Sequence, residues 1–175
     1  GAASGVATGI MARLDAKEVG LFGTGKQART QLEAMTRVRQ LRRVQVYSPH
    51  EERRRAFCTE MSAALNVDVQ PVPRAEMAAQ DKDIVITATS SRAPVLQGDW
   101  LSEGTHLNVI GSNFWNKAEV DVVAVRRSEV IIVDSKDQAR LEAGDFAQAL
   151  EDGSLHWEDV EELNQLVVGR ISGRR

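Results

Sequence analysis

From Glu18 onward, short apolar runs alternate with longer stretches in which apolar residues recur every three or four positions, the pattern of strands joined by crossover helices. Strands are predicted at Glu18 to Phe22, Arg43 to Tyr47, Val67 to Gln70, Asp83 to Thr87, His106 to Ile110 and Val130 to Val133. Between the first two, Ala28, Leu32, Met35 and Val38 fall on one face of a helix over Gly25 to Arg39. A second helix, Glu51 to Leu65, sets Ala56, Phe57, Met61, Ala64 and Leu65 against a charged face. Pro71 to Pro73 marks a break before a short helix at Arg74 to Ala79, and Ser90 to Thr105 reads as a long loop with a little helix near Trp100. Asp137 to Leu150 reads as a helix bent at Gly144, and Val160 to Val168 as a last apolar segment. Together these predict an α/β fold, doubly wound around a mostly parallel six-stranded sheet.

Composition narrows the function classes. With 175 residues, 42% of them apolar and 27% charged, one soluble domain over 1–175 is expected. A net charge of -3, with both signs interspersed, argues against nucleic acid and acidic membrane surfaces as partners and for a small polar or anionic ligand. The single cysteine, Cys58, reads as an inert half-buried thiol, and the three histidines have no partners at metal spacing, so no metal site is expected. No apolar run has membrane-span length and no leader pattern opens the chain, so a cytoplasmic protein is expected. The small residues Gly1 to Gly9 read as the middle of a tightly packed helix. Residues 1–14 are therefore expected to be an interdomain helix, and the chain to be part of a larger protein.

The most specific motif is Gly23-Thr24-Gly25-Lys26-Gln27-Ala28, which follows a predicted strand and opens a predicted helix. In a Rossmann-like fold Gly23 permits the tight turn, Gly25 lets backbone approach a pyrophosphate, and Ala28 keeps the helix close to the strand. The helix N-terminus then offers N–H groups and a positive dipole end to the phosphates, with Thr24 and Gln27 beside them. An NAD site carries a carboxylate about 20 residues further on, for the adenosine ribose hydroxyls. Here that position reads Tyr47-Ser48-Pro49-His50. Without a carboxylate there is no repulsion of a 2′-phosphate; Ser48 can donate a hydrogen bond, Arg53 or Arg54 can add charge, and His50 lies near the adenosine end. NADP(H) is thus favoured over NAD(H), although arginines on such a helix are also ordinary solvated residues. The path of the cofactor is completed by Thr87-Ala88-Thr89 after the fourth strand and Val109-Ile110-Gly111 after the fifth, both small or polar where backbone should approach ligand.

These motifs, the run Thr87 to Pro94, and Gly111-Ser112-Asn113 followed by Lys117-Ala118-Glu119-Val120-Asp121 occur in an order that resembles the ornithine cyclodeaminase and μ-crystallin family. The likeness runs on through Asp134-Ser135, Gln138-Ala139-Arg140, Glu162-Leu163 and Gly169-Arg170. The resemblance implies a Rossmann domain here, with the substrate and dimerisation domain outside this chain and a homodimer in the full-length protein. It also implies hydride exchange between nicotinamide and the α-carbon of a small amino or imino acid. The family's cyclodeaminases place a catalytic Asp after the fifth strand, four residues before a Lys. This chain has Asn113 there and keeps Lys117. An amide cannot carry a proton as a carboxyl can, so the expectation shifts to reduction of a cyclic imine or ketimino acid of the pyrroline-carboxylate type, with Asn113 and Lys117 as the catalytic candidates. An ornithine cyclodeaminase or alanine dehydrogenase, and a non-catalytic protein that binds NADPH and a small ligand, stay open as alternatives. Glu119 and Asp121 read as start signals for the next helix, and Phe114-Trp115 as a wall for the nicotinamide pocket.

Overall fold

A computed structural model of the protein describes residues 1–174. Helix α1 (Ala2–Met11) leads into β1 (Glu18–Phe22), α2 (Lys26–Val38), β2 (Arg43–Tyr47), α3 (Glu51–Leu65), β3 (Asp68–Pro71), a 3-10 turn at Ala75–Ala78 and β4 (Ile84–Thr87). A second 3-10 turn at Gly98–Trp100 precedes β5 (His106–Val109), and α4 (Val122–Arg126), β6 (Ile131–Val133) and α5 (Lys136–Glu142) follow. The chain continues through a 3-10 turn at Gly144–Phe146, α6 (Ala147–Glu151), β7 (Val160–Glu162) and α7 (Leu163–Val167). No helix among the described residues is long and apolar enough to cross a membrane.

Five strands pair in parallel in the order β3-β2-β1-β4-β5. The expected sixth strand is a strand, but it does not extend this sheet: β6 pairs in parallel with β7, Ile131 opposite Val160, as a separate two-stranded unit. A strand needs a partner for its N–H and C=O groups, and Val160–Glu162, which the sequence reading merged into one apolar segment with the helix after it, provides one.

Both faces of the sheet are covered, as alternate side chains along the strands require. Val19, Leu21, Val44, Val46, Ile84 and Ile86 pack against Ala28, Leu32 and Met35 of α2 and Phe57 and Met61 of α3. Phe22 and Val85 point the other way, into a cluster with Ala78, Leu96, Val120, Ala124 and Val160. The stripe that α3 buries is Arg54, Phe57, Cys58 and Met61, whereas Ala56 and Ala64, expected on it, are exposed. Positions 54, 57, 58 and 61 follow i, i+3, i+4, i+7 and so share a face, from which Ala56 is turned away. On α2 the buried set is Ala28, Gln31, Leu32 and Met35, with Val38 near the frayed end only partly covered. Burial drives the Cys58 thiol up to about 11, in keeping with an inert group.

Helix α1 is tied to the sheet by polar contacts. Asn108 Nδ2 donates to Thr8 Oγ1 at 3.0 Å, and Thr8 Oγ1 lies 3.0 Å from His106 Nε2. Since Thr8 accepts from Asn108, its hydroxyl proton is available to His106 only if Nε2 is unprotonated. Burial pushes the His106 imidazole down to about 4, with the guanidiniums of Arg174 and Arg39 adding to the effect. The Arg39 guanidinium also donates to the carbonyls of Thr8, Gly9 and Ala12, satisfying the end of α1.

Candidate functional site

The strand register brings the predicted site residues to one edge. Phe22 pairs with Tyr47 on one side and Thr87 on the other, and Thr87 with Val109, so β1, β2, β4 and β5 end level. Connections leave β1 toward β2 on one side and return to β4 on the other, which makes the gap above β1 and β4 a topological switch point, where open α/β sheets bind ligands.

The glycine turn lies at that gap. Gly23 has φ +106, a conformation that L side chains rarely adopt, and a Cβ there would stand 2.3 Å from Ala88 O. Its N–H donates to Tyr47 O at 2.9 Å, so this one residue touches the ends of both neighbouring strands. Gly25 is the N-cap of α2, in extended conformation and without a side-chain cap, and no acidic residue occupies the first turn of that helix. A Cβ at Gly25 would meet no atom of the described residues within 4 Å. Open space above an uncapped, uncompensated helix N-terminus suits a dinucleotide pyrophosphate. Thr24 is partly exposed and its carbonyl accepts from Arg29 Nη1 at 2.9 Å; Gln27 is exposed, and Ala28 is fully buried against the sheet.

At the end of β2, Ser48 is buried and His50, exposed, caps α3 without a side-chain hydrogen bond. Arg53 is exposed in the first turn of α3. Arg54 is not a solvated residue: it is buried, its guanidinium donates to Ser48 O and lies 5.9 Å from the Tyr47 ring centroid, and its Nε has no hydrogen-bond partner among the described residues. Charge alone puts Arg54 on the polar face of α3; its helical position, with Phe57, Cys58 and Met61, puts it inside.

The ends of β4 and β5 converge on a carboxylate. Thr87 Oγ1 and Gly111 N donate to Glu119 Oε2 at 2.8 and 2.6 Å, and Thr89 N donates to Glu119 Oε1 at 2.6 Å. Ala88 N and Ile110 N continue the ladder to Phe22 O and Thr87 O, and Val109 ends it. Glu119 is fully buried, so the expectation of a helix start signal was wrong for it. Asp121 is the helix start, accepting from Ala124 N at 2.9 Å. Asp145, which the sequence did not single out, accepts from the backbone N–H groups of Glu119 at 2.6 Å and Val120 at 3.0 Å. A signal for Glu119 was available: two glycine- or threonine-rich strand ends present N–H groups with no ladder partner, and a nearby acceptor must satisfy them.

Past β5, Lys117 Nζ donates to Asn113 Oδ1 at 3.2 Å and stands 4.8 Å from the Phe114 ring centroid. Asn113 is exposed and Lys117 partly so, while Ser112 Oγ donates to Lys117 O at 2.8 Å and closes the loop. Phe114 and Trp115 are 56% and 44% exposed, so they have room to pack on a ligand. Gly144 sits beneath this loop, where a Cβ would come within 2.1 Å of Lys117 O and 2.5 Å of Trp115 O.

A parallel doubly wound sheet with a glycine turn at its switch point defines a Rossmann-like α/β domain. The chain belongs to the ornithine cyclodeaminase/mu-crystallin family, whose model matches residues 1–175. A Delta(1)-pyrroline-2-carboxylate reductase of Bacillus cereus is 33% identical over 99% of this chain and 54% of its own length. Among solved structures, the Thermococcus litoralis Delta(1)-pyrroline-2-carboxylate reductase in complex with NADH and L-proline superposes with a TM-score of 0.95 at 38% identity, covering 99% of this chain and 54% of that one. An archaeal alanine dehydrogenase dimer with bound NAD gives 0.90 at 32% identity, covering 99% and 53%. The chain thus spans about half the length of the relatives it matches.

Proposed function

We propose that the full-length protein is a nicotinamide-dependent reductase of a small cyclic imine or ketimino acid of the pyrroline-carboxylate type. The observation that carries the reading is the Asn113–Lys117 pair, 3.2 Å apart at the end of β5 on the same sheet edge as the glycine turn. It presents an amide and an ammonium where a cyclodeaminase of the family has a carboxyl. When bound, reduced nicotinamide supplies a hydride for the C=N carbon. The Asn113 amide offers hydrogen bonds that orient the substrate, Lys117 attracts its carboxylate or carries the proton needed at nitrogen, and Phe114 and Trp115 exclude water. The similarity to a reductase complexed with NADH and L-proline supports a cyclic substrate of this size.

The cofactor site comprises Gly23, Thr24, Gly25, Gln27 and Ala28 for the pyrophosphate, Ser48, His50 and Arg53 for the adenosine end, and Thr87 to Thr89 with Val109 to Gly111 for the nicotinamide half. NADPH is the preferred cofactor in this reading, since the end of β2 bears no carboxylate, and Arg54 behind Ser48 adds positive charge. The remaining polypeptide supplies the second wall of the substrate cleft and the contacts of a homodimer, with residues 1–14 leading to it; the dimer of the archaeal alanine dehydrogenase is consistent with this. A cytoplasmic location, where the nicotinamide pools lie, belongs to the same proposal.

The test is turnover by the full-length protein of pyrroline-2-carboxylate, of pyruvate with ammonia, and of ornithine. Reduction of the cyclic imine above the other two is expected. Activity with only pyruvate and ammonia, or only ornithine, would replace the reading with the dehydrogenase or cyclodeaminase. Cofactor binding without any turnover would make the protein a binder of dinucleotide.

A further inference from the structure

We infer that Glu119 is a positioning residue for the nicotinamide half of the dinucleotide, fixing the ends of β4 and β5 from beneath. The inference rests on the proposed nicotinamide-dependent function. Glu119 is fully buried and forms no ion pair among the described residues. A buried carboxylate without a cation is costly unless hydrogen bonds replace its hydration. Both of its oxygens are used: Thr89 N on one, Thr87 Oγ1 and Gly111 N on the other, all within 2.8 Å.

The two backbone donors, Thr89 N and Gly111 N, are groups that the sheet ladder does not satisfy. Pairing of β4 with β5 ends at Thr87 opposite Val109, with one further bond from Ile110 N to Thr87 O. Beyond that point the Glu119 carboxylate stands in for the next rung and sets how far apart Thr89 and Gly111 lie. The fit is close, since a Cβ at Gly111 would come within 2.3 Å of Thr89 O and 2.6 Å of the carboxylate. The Glu119 backbone is itself clamped. Its N–H goes to Asp145, and its carbonyl accepts from Val95 N at 2.8 Å and Leu96 N at 3.1 Å.

Apolar side chains of similar volume hold buried strand ends at equal or lower free-energy cost than a buried ion. What a carboxylate adds is direction: it fixes two backbone N–H vectors and one hydroxyl. In a Rossmann-like site the pyrophosphate lies at the N-terminus of α2 and the adenosine ribose at the end of β2, which leaves β4 and β5 under the other nucleotide. Glu119 therefore orders the surface beneath the nicotinamide and leaves the adenosine side untouched.

The experiment uses the full-length protein and two probes, NADH and ADP-ribose, the second lacking the nicotinamide ring. Glu119→Gln keeps the shape but turns one acceptor into a donor that faces an N–H. NADH binding is expected to weaken by about tenfold or more, with ADP-ribose affinity held within about twofold. Thr87→Val, which removes one donor whose side chain is fully buried and turned to Glu119, and leaves the carboxylate in place, should show the same split at roughly two- to fivefold, and it decides the matter if the glutamine variant does not fold. Equal losses for both probes, as a merely structural tie would give, or no loss for either, would overturn the proposal. Failure of the unaltered protein to bind NADH or NADPH would instead remove the functional reading itself, before any variant is compared.

Discussion

The two glycines of the phosphate turn have opposite physical roles, and alanine at each should separate them. At Gly25 the backbone has φ -82 and ψ -171, open to any residue, and a methyl group would touch nothing within 4 Å. Gly25→Ala should therefore change stability by no more than about 1 kcal/mol, the range of an N-cap replacement offset by a stiffer unfolded chain. Its methyl group, however, would stand in the space from which a pyrophosphate reaches the first N–H groups of α2. Losing one charge-assisted backbone bond to phosphate costs about 1.5–3 kcal/mol, so NADH should bind roughly ten- to a hundredfold more weakly. At Gly23 the balance reverses. A side chain at φ +106 costs about 1–3 kcal/mol, and moving Ala88 O away from a Cβ otherwise 2.3 Å distant adds about 1–3 more. Gly23→Ala should lose about 2–6 kcal/mol of stability in urea unfolding, by the sum of these two costs. Urea melts and NADH titrations of both variants, side by side, make the assay. A folded Gly25→Ala variant that bound NADH as tightly as the unaltered protein would refute the assignment of this turn to phosphate.

Three further outcomes follow from the contacts. Asp145→Ala leaves the buried N–H groups of Glu119 and Val120 without an acceptor, and should cost about 2–5 kcal/mol in urea unfolding. Asp145→Asn, which keeps the accepting oxygen, should recover most of it, and equal losses in the two variants would show that the N–H groups are not the cause. His106, held near 4 in the folded state against 6.5 when free, lets the unfolded chain take up a proton first as the solution is acidified. Stability should then fall between about pH 6.5 and pH 4, by up to about 3 kcal/mol from this group, and His106→Gln should flatten that part of the curve. Parallel curves for the two proteins would rule the imidazole out as the source. Ser48→Asp should move preference from NADPH toward NADH, because a carboxylate accepts from ribose hydroxyls and repels a 2′-phosphate; an unchanged ratio of the two affinities would remove Ser48 from the specificity argument.

The parts of the fold read correctly from sequence are those governed by local pattern. Five strands of the main sheet, both crossover helices and the glycine turn each carry a period or a motif that needs no distant information. What escaped depends on contacts across the chain. Ile131–Val133 has the composition of a sheet strand, yet its partner is Val160–Glu162, a pairing that no local signal fixes. Arg54 was assigned by its charge, while its position in the 54, 57, 58, 61 stripe put it inside, over Tyr47. Glu119 reads as a helix start, and its acceptor function is signalled only by the unpaired N–H groups past β4 and β5; that of Asp145, for the N–H groups of Glu119 and Val120, emerges only when the segment after α5 packs against them. The glycine turn of the candidate site was thus legible at Gly23 and Gly25, where backbone conformation shapes it, and the buried polar side chains beneath the strand ends were not.

On the proposed reading, the level ends of β1, β2, β4 and β5 hold a nicotinamide dinucleotide. Calorimetric titration of the full-length protein with NADPH and then NADH checks this. Saturable binding of one dinucleotide per chain, tighter for NADPH, is the predicted result. A folded full-length protein that gives no binding isotherm with either would contradict it.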